Sequence, residues 1–184
     1  MGKTPAIAFI GRSGSGKTTL TVKVIAGLCA RGRRVGSVKH HGHKGFDIDV
    51  PGKDSWRQTQ AGSVHTVIAS PDKVASIQQL DGELELPDII ATMGDVDVVV
   101  VEGYRNGGVP SIEMFRRDNP RDFASDDPAA CMRQWAETLD APETVACATD
   151  IPEIVRLAAE RGLPCFDLDD APGIVDFIER EIIA

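Results

Sequence analysis

The sequence predicts an α/β fold in which a mostly parallel β-sheet lies between two layers of helices. Apolar runs rich in β-branched residues alternate along the chain with segments of helical period, as in successive βα units. Residues 96–101 are all valine apart from Asp97, and such a run is typical of a strand covered on both faces. A glycine-rich segment, residues 11–18, separates the first predicted strand from the first predicted helix. These observations favour the three-layer sandwich of the P-loop NTPases.

The individual elements follow from local patterns. The first strand, residues 6–10, leads into the glycine-rich segment, after which apolar residues recur at helical spacing from Leu20 to Leu28 and Gly32 marks the helix end. Further strands are predicted at residues 35–39, 96–101, 111–116, 144–148 and 165–168, and further helices at residues 54–61, 128–139, 153–161 and 171–183.

A β-hairpin is predicted at an edge of the sheet. Residues 64–69 and 73–77 have strand composition and are joined by Ser70, Pro71 and Asp72, which are common turn residues. In the short helix that precedes the hairpin, Asp54 or Ser55 is expected to serve as the N-cap.

Length and composition indicate one globular domain. The 184 residues fit a single P-loop nucleotide-binding domain, residues 1–184, and no apolar run approaches the roughly 20 residues that cross a bilayer. The net charge of −8 disfavours binding to nucleic acid, and the four cysteines form no C-x-x-C pair, which favours buried free thiols. The first residues lack the pattern of a secretory signal, so we expect a cytoplasmic protein.

The glycine-rich segment matches the phosphate-binding pattern G-x-x-x-x-G-K-[ST] at every defined position. Its glycines allow successive backbone N–H groups to point into one concavity, and the helix that begins at Lys17 adds its positive N-terminal end. We expect Lys17 to reach the terminal phosphates of a nucleoside triphosphate and the Thr18 hydroxyl to bind magnesium. The full set of loop residues expected to bind the nucleotide is Gly11, Ser13, Gly14, Ser15, Gly16, Lys17, Thr18 and Thr19.

An acidic residue that could act on the metal follows the valine run. Glu102 stands where this strand ends, so its carboxylate should emerge at the edge of the sheet where open α/β folds bind ligands. A structural ion pair is the alternative role for Glu102. Asp47 and Asp49 follow the second predicted strand, and either could reach the magnesium from a mobile loop.

The same loop contains three histidines, His40, His41 and His43. Imidazoles are common ligands of transition metals. Adjacent residues of an extended segment face opposite ways, however, and no cysteine is near. Anion contacts or exposed histidines are therefore favoured over a metal site.

The combination of motifs in the first 105 residues resembles the molybdopterin-guanine dinucleotide biosynthesis protein B (MobB) family. The motifs are the P-loop, VKHH at 38–41, FDID at 46–49, PGKDSWR at 51–57, AG at 61–62 and VEGY at 101–104. The resemblance implies a dimeric GTP-binding protein that hydrolyses GTP weakly, if it is an enzyme at all, and assists the guanylyltransferase that joins GMP to molybdopterin. It implies binding of GTP and Mg²⁺ through the P-loop, with Glu102 and Asp49 on the metal side.

Base recognition and pterin binding are less well defined. The chain lacks the Asn-Lys-x-Asp segment with which GTPases generally recognise guanine, and Asp150, after a predicted strand, is the best substitute. A helix cap ahead of Pro152 is an equal alternative for Asp150. Arg57 offers a forked donor for phosphate, and Trp56 could cover a flat ring such as that of molybdopterin or anchor a core or dimer contact.

Two other functions remain open from the residues. A small-molecule kinase would use Arg116, Arg117 and Arg121 as a basic lid over the phosphates. A metallochaperone GTPase would deliver its metal ion through the three histidines.

Overall fold

The computed structural model describes residues 4–42, 45–123 and 125–184. The backbone divides into two compact units, a large unit of Met1–His40 with Glu85–Ala184 and a small unit of His41–Leu84. Compact units need not fold independently, so the single domain expected from the sequence stays a prediction.

The large unit contains a six-stranded sheet in the order β2-β5-β1-β6-β7-β8, and all of its paired strands are parallel. The small unit contains a two-stranded antiparallel sheet of β3 and β4. The strands are β1 (Ala6–Gly11), β2 (Val35–Lys39), β3 (His65–Ala69), β4 (Val74–Gln78), β5 (Val98–Glu102), β6 (Ser111–Phe115), β7 (Thr144–Thr149) and β8 (Cys165–Phe166).

Helices connect most of the parallel strands, as is usual for the crossover connections between such strands. They are α1 (Lys17–Ala30), α2 (Asp54–Gln60), α3 (Leu86–Ala91), α4 (Pro128–Leu139), α5 (Pro152–Glu160) and α6 (Ala171–Ile178). A short 3₁₀ turn spans Pro120–Asp122, and a π-helical turn, Glu179–Ile183, follows α6. None of the helices in the described ranges is long and apolar enough to span a membrane.

The valine run lies inside the sheet with apolar residues on both of its faces. Val98 and Val100 belong to one buried cluster, which includes Phe9, whereas Val99 and Val101 belong to the cluster on the opposite face. The fold class predicted from the sequence, an α/β sandwich around a parallel sheet, is therefore confirmed. The arrangement brings the carboxyl ends of β1, β2 and β5 together at one edge of the sheet.

Some local predictions were wrong. The hairpin forms, but β3 and β4 make up a separate two-stranded sheet, so they are not edge strands of the six-stranded sheet. The N-cap of α2 is Lys53, with no side-chain hydrogen bond, so neither Asp54 nor Ser55 has that role. The helix α3 was missed because it has only six residues and a proline in its first turn. Only two of the four cysteines are buried, Cys131 and Cys147.

Candidate functional site

The glycine-rich segment forms a loop between β1 and α1, as the motif predicts. Gly14 and Gly16 have φ angles of 93° and 91°, in the left-handed region that glycine adopts without steric cost. Gly16 is also the N-cap of α1 and supplies no side-chain hydrogen bond to the helix. The first amide groups of α1 therefore have no side-chain partner at the N-cap, and such a helix end attracts anions.

Two polar side chains of the loop point to its use as a ligand cradle. Ser15 is fully buried, and its hydroxyl has no hydrogen-bond partner among the described residues. The Lys17 ammonium donates to the carbonyl oxygens of Gly11 (2.8 Å) and Arg12 (2.9 Å), which holds the side chain across the loop. Burial lowers the pKa of Lys17, although the charge of Glu102 acts in the opposite direction. The remaining predicted loop residues Ser13, Thr18 and Thr19 are exposed.

The acid predicted to act on the metal lies against the loop. The Thr18 hydroxyl donates to Glu102 Oε1 over 2.8 Å, although the two residues are far apart in sequence. The Lys39 ammonium, from the end of β2, lies 2.9 Å from the same carboxylate oxygen and 3.4 Å from the Thr18 hydroxyl. Glu102 thus forms the ion pair considered as its alternative role and also contacts the predicted magnesium ligand.

The residues fit a bound magnesium ion. A hydroxyl and a carboxylate are the hard oxygen donors that Mg²⁺ takes in proteins, usually together with waters and phosphate oxygens. Thr18 and Glu102 already lie within hydrogen-bond distance of each other at the mouth of the phosphate loop. We therefore retain them as candidate metal ligands.

The segment after β6, which contains the three arginines considered as a kinase lid, packs against the phosphate loop, and these contacts were not predicted from the sequence. Arg116 Nε donates to the carbonyl oxygen of Ser15 over 3.4 Å. A Cβ added to Gly14 would lie 3.3 Å from the buried Asn119 side chain, and one on Gly16 would lie 2.8 Å from the Arg116 guanidinium. The positive φ angles disfavour other residues at these positions, and the close approach of this segment leaves little room for a side chain there.

Asp122 holds this segment together. One carboxylate oxygen accepts from the Arg116 amide and from the Asn119 side chain, each over 2.9 Å. The other oxygen is buried and has no partner in the part of the chain that the structure describes. Burial raises the pKa of Asp122 against the effect of those hydrogen bonds. The Asp122 carbonyl also accepts from the Trp135 indole over 2.8 Å. An Asn-Pro-x-Asp pattern before a helix was the only sequence signal for this network.

Asp150 is exposed at the carboxyl end of β7. Its carboxylate accepts from the Arg117 amide over 2.7 Å, and Arg117 also lines a cleft of about 750 Å³ beside α4. The N-cap of α5 is Ile151, so the interpretation of Asp150 as a helix cap was wrong. Its proposed role in base recognition stays a prediction.

Three other predicted residues lie in the small unit. Asp49 accepts from the Val50 amide (2.8 Å) and the Ser55 hydroxyl (3.1 Å). Arg57 is exposed on α2, and Trp56 is half-buried and so is not part of a core. The predicted roles of Asp49 as a metal ligand and of Arg57 in phosphate binding stay predictions.

The histidines have different surroundings. The ring of His40 packs against Tyr104, with 4.4 Å between centroids, and that of His41 packs against Phe46 at 5.7 Å. His43 lies outside the described residues. Within the described ranges, no group of three or more histidine, cysteine or acidic side chains could hold a metal ion.

Comparisons with known proteins agree with the fold and the motifs. The family model for molybdopterin guanine dinucleotide synthesis protein B matches residues 6–134. The chain is 35% identical to a molybdopterin-guanine dinucleotide biosynthesis adapter protein of Escherichia coli, over 96% of this chain and 94% of that one. A protein with the same description from Haemophilus influenzae is 33% identical over 96% and 88%. The crystal structure of Bacillus subtilis MobB has a TM-score of 0.72 at 23% identity and covers 97% of this chain and 98% of its own.

Proposed function

The chain belongs to the MobB family, and on that basis we propose that it is a GTP-binding adapter in the biosynthesis of molybdopterin-guanine dinucleotide. In this role it binds GTP with Mg²⁺, hydrolyses it weakly, and assists the guanylyltransferase that transfers GMP to molybdopterin. Molybdopterin is a further candidate ligand. The localisation in the cytoplasm stays a prediction.

The observation that carries the proposal is the contact between Thr18 and Glu102 beside the phosphate loop. It joins a helix N-terminus that favours anions to a pair of oxygen donors that favour a hard cation. A nucleoside triphosphate with magnesium combines these two charges in one ligand.

Each residue of the loop then has a defined task. The backbone amides around Gly14 and Gly16 bind phosphate oxygens, and Lys17 exchanges its contacts with the Gly11 and Arg12 carbonyls for the terminal phosphates. Thr18 and Glu102 hold Mg²⁺, which neutralises phosphate charge.

Selection of guanine is assigned to Asp150. It lies at the carboxyl end of β7, two strands from β1 in the sheet, at the edge where ligands of open α/β folds bind. A carboxylate there can accept from the N1–H and 2-amino groups of guanine, which adenine lacks. Asp150→Ala should therefore reduce the preference for GTP over ATP without lowering ATP affinity.

The proposal includes self-association and a partner enzyme. Exposed apolar side chains are concentrated in the small unit, which suits a protein that binds a second copy of itself. The guanylyltransferase is proposed as the other partner because the related proteins are described as adapters in this pathway.

Calorimetric titration with GTP and with ATP, each with and without Mg²⁺, tests the proposal. We expect binding that requires Mg²⁺ for full affinity and prefers GTP. A preference for ATP would favour the kinase and count against the adapter role. Absence of binding to either nucleotide would contradict the phosphate-loop assignment itself.

A further inference from the structure

Lys39 occupies an unusual position beside the candidate metal ligands. Its ammonium lies 2.9 Å from Glu102 Oε1 and 3.4 Å from the Thr18 hydroxyl, so it contacts both oxygens assigned to Mg²⁺. These two oxygens are themselves only 2.8 Å apart. The Lys39 ammonium therefore lies where the Mg²⁺ ion is expected.

The sheet fixes the base of this side chain. In the parallel register of β2 and β5, Lys39 is the direct partner of Glu102, and the two residues end their strands together. The Lys39 side chain is 61% exposed, whereas that of Glu102 is only 15% exposed. The carboxylate is thus held in place, while the long lysine stem can leave it without disturbing packed atoms.

The ion pair between Lys39 and Glu102 is not explained by a contribution to the stability of the fold. Ion pairs with an exposed partner contribute little to the free energy of unfolding, because water screens them and the long side chain loses rotamer freedom. The pair should affect metal affinity more than it affects stability. A lysine within contact distance of a divalent metal site lowers the affinity for the metal, since the two cations repel each other and compete for one carboxylate oxygen.

We propose that Lys39 is an internal counter-ion that fills the magnesium position of the nucleotide-free protein and yields it when Mg²⁺ arrives with the triphosphate. The inference rests on the proposed function, because it concerns the same site. Lys39 then acts as a gate on metal binding: the free protein binds Mg²⁺ poorly, and the phosphates must supply the additional negative charge that displaces the ammonium.

The test is a titration of nucleotide-free protein with Mn²⁺ alone, with free Mn²⁺ measured by electron paramagnetic resonance. We expect Lys39→Met to bind Mn²⁺ about tenfold more tightly than the wild type. Lys39→Arg, which keeps the charge, should remain as weak as the wild type. Lys23→Met is the matched control, because Lys23 also pairs with a carboxylate, that of Asp169, away from Thr18 and Glu102.

The inference is overturned if Lys39→Met leaves Mn²⁺ binding unchanged, or if Lys23→Met raises it equally. A parallel titration of wild type and Lys39→Met with GTP and Mg²⁺ separates the two hypotheses. Normal GTP binding with unchanged Mn²⁺ affinity would reject the gate and leave the proposed function intact. Tighter Mn²⁺ binding in a protein that binds no nucleotide would retain the counter-ion and reject the proposed function.

Discussion

At the scale of single residues, Lys17 gives the most direct test of the phosphate loop. We expect Lys17→Ala to lose GTP binding, because each charge-assisted hydrogen bond to phosphate contributes about 1.5–3 kcal/mol. The fold should persist, since the hydrogen bonds that the ammonium makes within the described residues go to the carbonyls of Gly11 and Arg12. Calorimetry with GTP and Mg²⁺ and a thermal melt measure the two effects, with Lys23→Ala as the control. Wild-type affinity in Lys17→Ala would reject the assignment.

The role of Glu102 as a metal ligand is tested by the Mg²⁺ dependence of GTP affinity and not by GTP affinity alone. Glu102→Gln keeps the size of the side chain and a hydrogen-bonding group for Thr18 but removes the negative charge. GTP affinity without Mg²⁺ should change little, whereas the increase that Mg²⁺ produces should fall by about tenfold or more. The measurement is GTP affinity over a series of Mg²⁺ concentrations, compared with the exposed-site variant Glu137→Gln. An unaltered magnesium titration would show that Glu102 has only the structural ion pair with Lys39.

The residues that could be predicted are those whose function is encoded within one short segment. Lys17 and Thr18 follow from a contiguous motif, and Glu102 follows from the end of a buried strand. The contact of Arg116 with Ser15 joins positions 101 residues apart, and no local pattern reveals it. Lys39 was part of a motif, but its pairing with Glu102 depends on the strand register, which appears only in the sheet.

At the scale of elements, the connection between β6 and α4 is expected to support the phosphate loop. Asp122→Ala would leave the Arg116 amide and the Asn119 side chain without an acceptor, and a buried unsatisfied group costs about 1–3 kcal/mol. Urea unfolding should show a loss of this order together with weaker GTP binding. Asp118→Ala, an exposed carboxylate of the same connection, is the control and should match the wild type. Unchanged stability in Asp122→Ala would mean that the connection does not brace the loop.

The stability of this connection should also depend on pH. Burial raises the pKa of Asp122 above its unfolded value, so the folded state retains a proton that the unfolded state has released. The contribution of Asp122 is therefore largest below the unfolded pKa and decreases as pH rises through the folded pKa. Urea titrations across this range should give a difference between wild type and Asp122→Ala that shrinks toward neutral pH. A difference that grew with pH would contradict the direction of the shift.

The existence of elements with a strong periodic pattern was predicted from the sequence, whereas the positions of their ends were predicted only where polar or turn residues mark them. The strand β2 and the helix α4 have the predicted bounds, because each is delimited by polar or turn residues. The C-terminal helix was predicted through residue 183, but the α-helix ends at Ile178 and continues as a π-helical turn, which an apolar spacing does not distinguish. The separate sheet of the hairpin could not be predicted either, since strand composition does not specify the neighbour of a strand.

At the scale of the whole molecule, the exposed apolar surface is unevenly distributed. Nine of the eleven exposed large hydrophobic residues found in the described ranges belong to the small unit. An isolated two-stranded hairpin is marginally stable in water, and contiguous apolar surface commonly marks an interface. On β3 and β4, the alternation and the pairing of Ala69 with Val74 bring Val67 and Val74 onto one face, where they are 56% and 68% exposed.

We therefore expect this hairpin face to mediate the proposed homodimer. The double variant Val67→Lys and Val74→Lys should shift the protein from dimer to monomer, because like charges would then face each other across the interface and lose their hydration. Size-exclusion chromatography with light scattering measures the change, and an unaltered far-UV circular dichroism spectrum would show that the fold is intact. Val22→Lys on α1 is the control, since Val22 is equally exposed but lies in the large unit. A monomeric wild type would contradict the proposed homodimer. A double variant that remained dimeric would show that the dimer contact lies elsewhere.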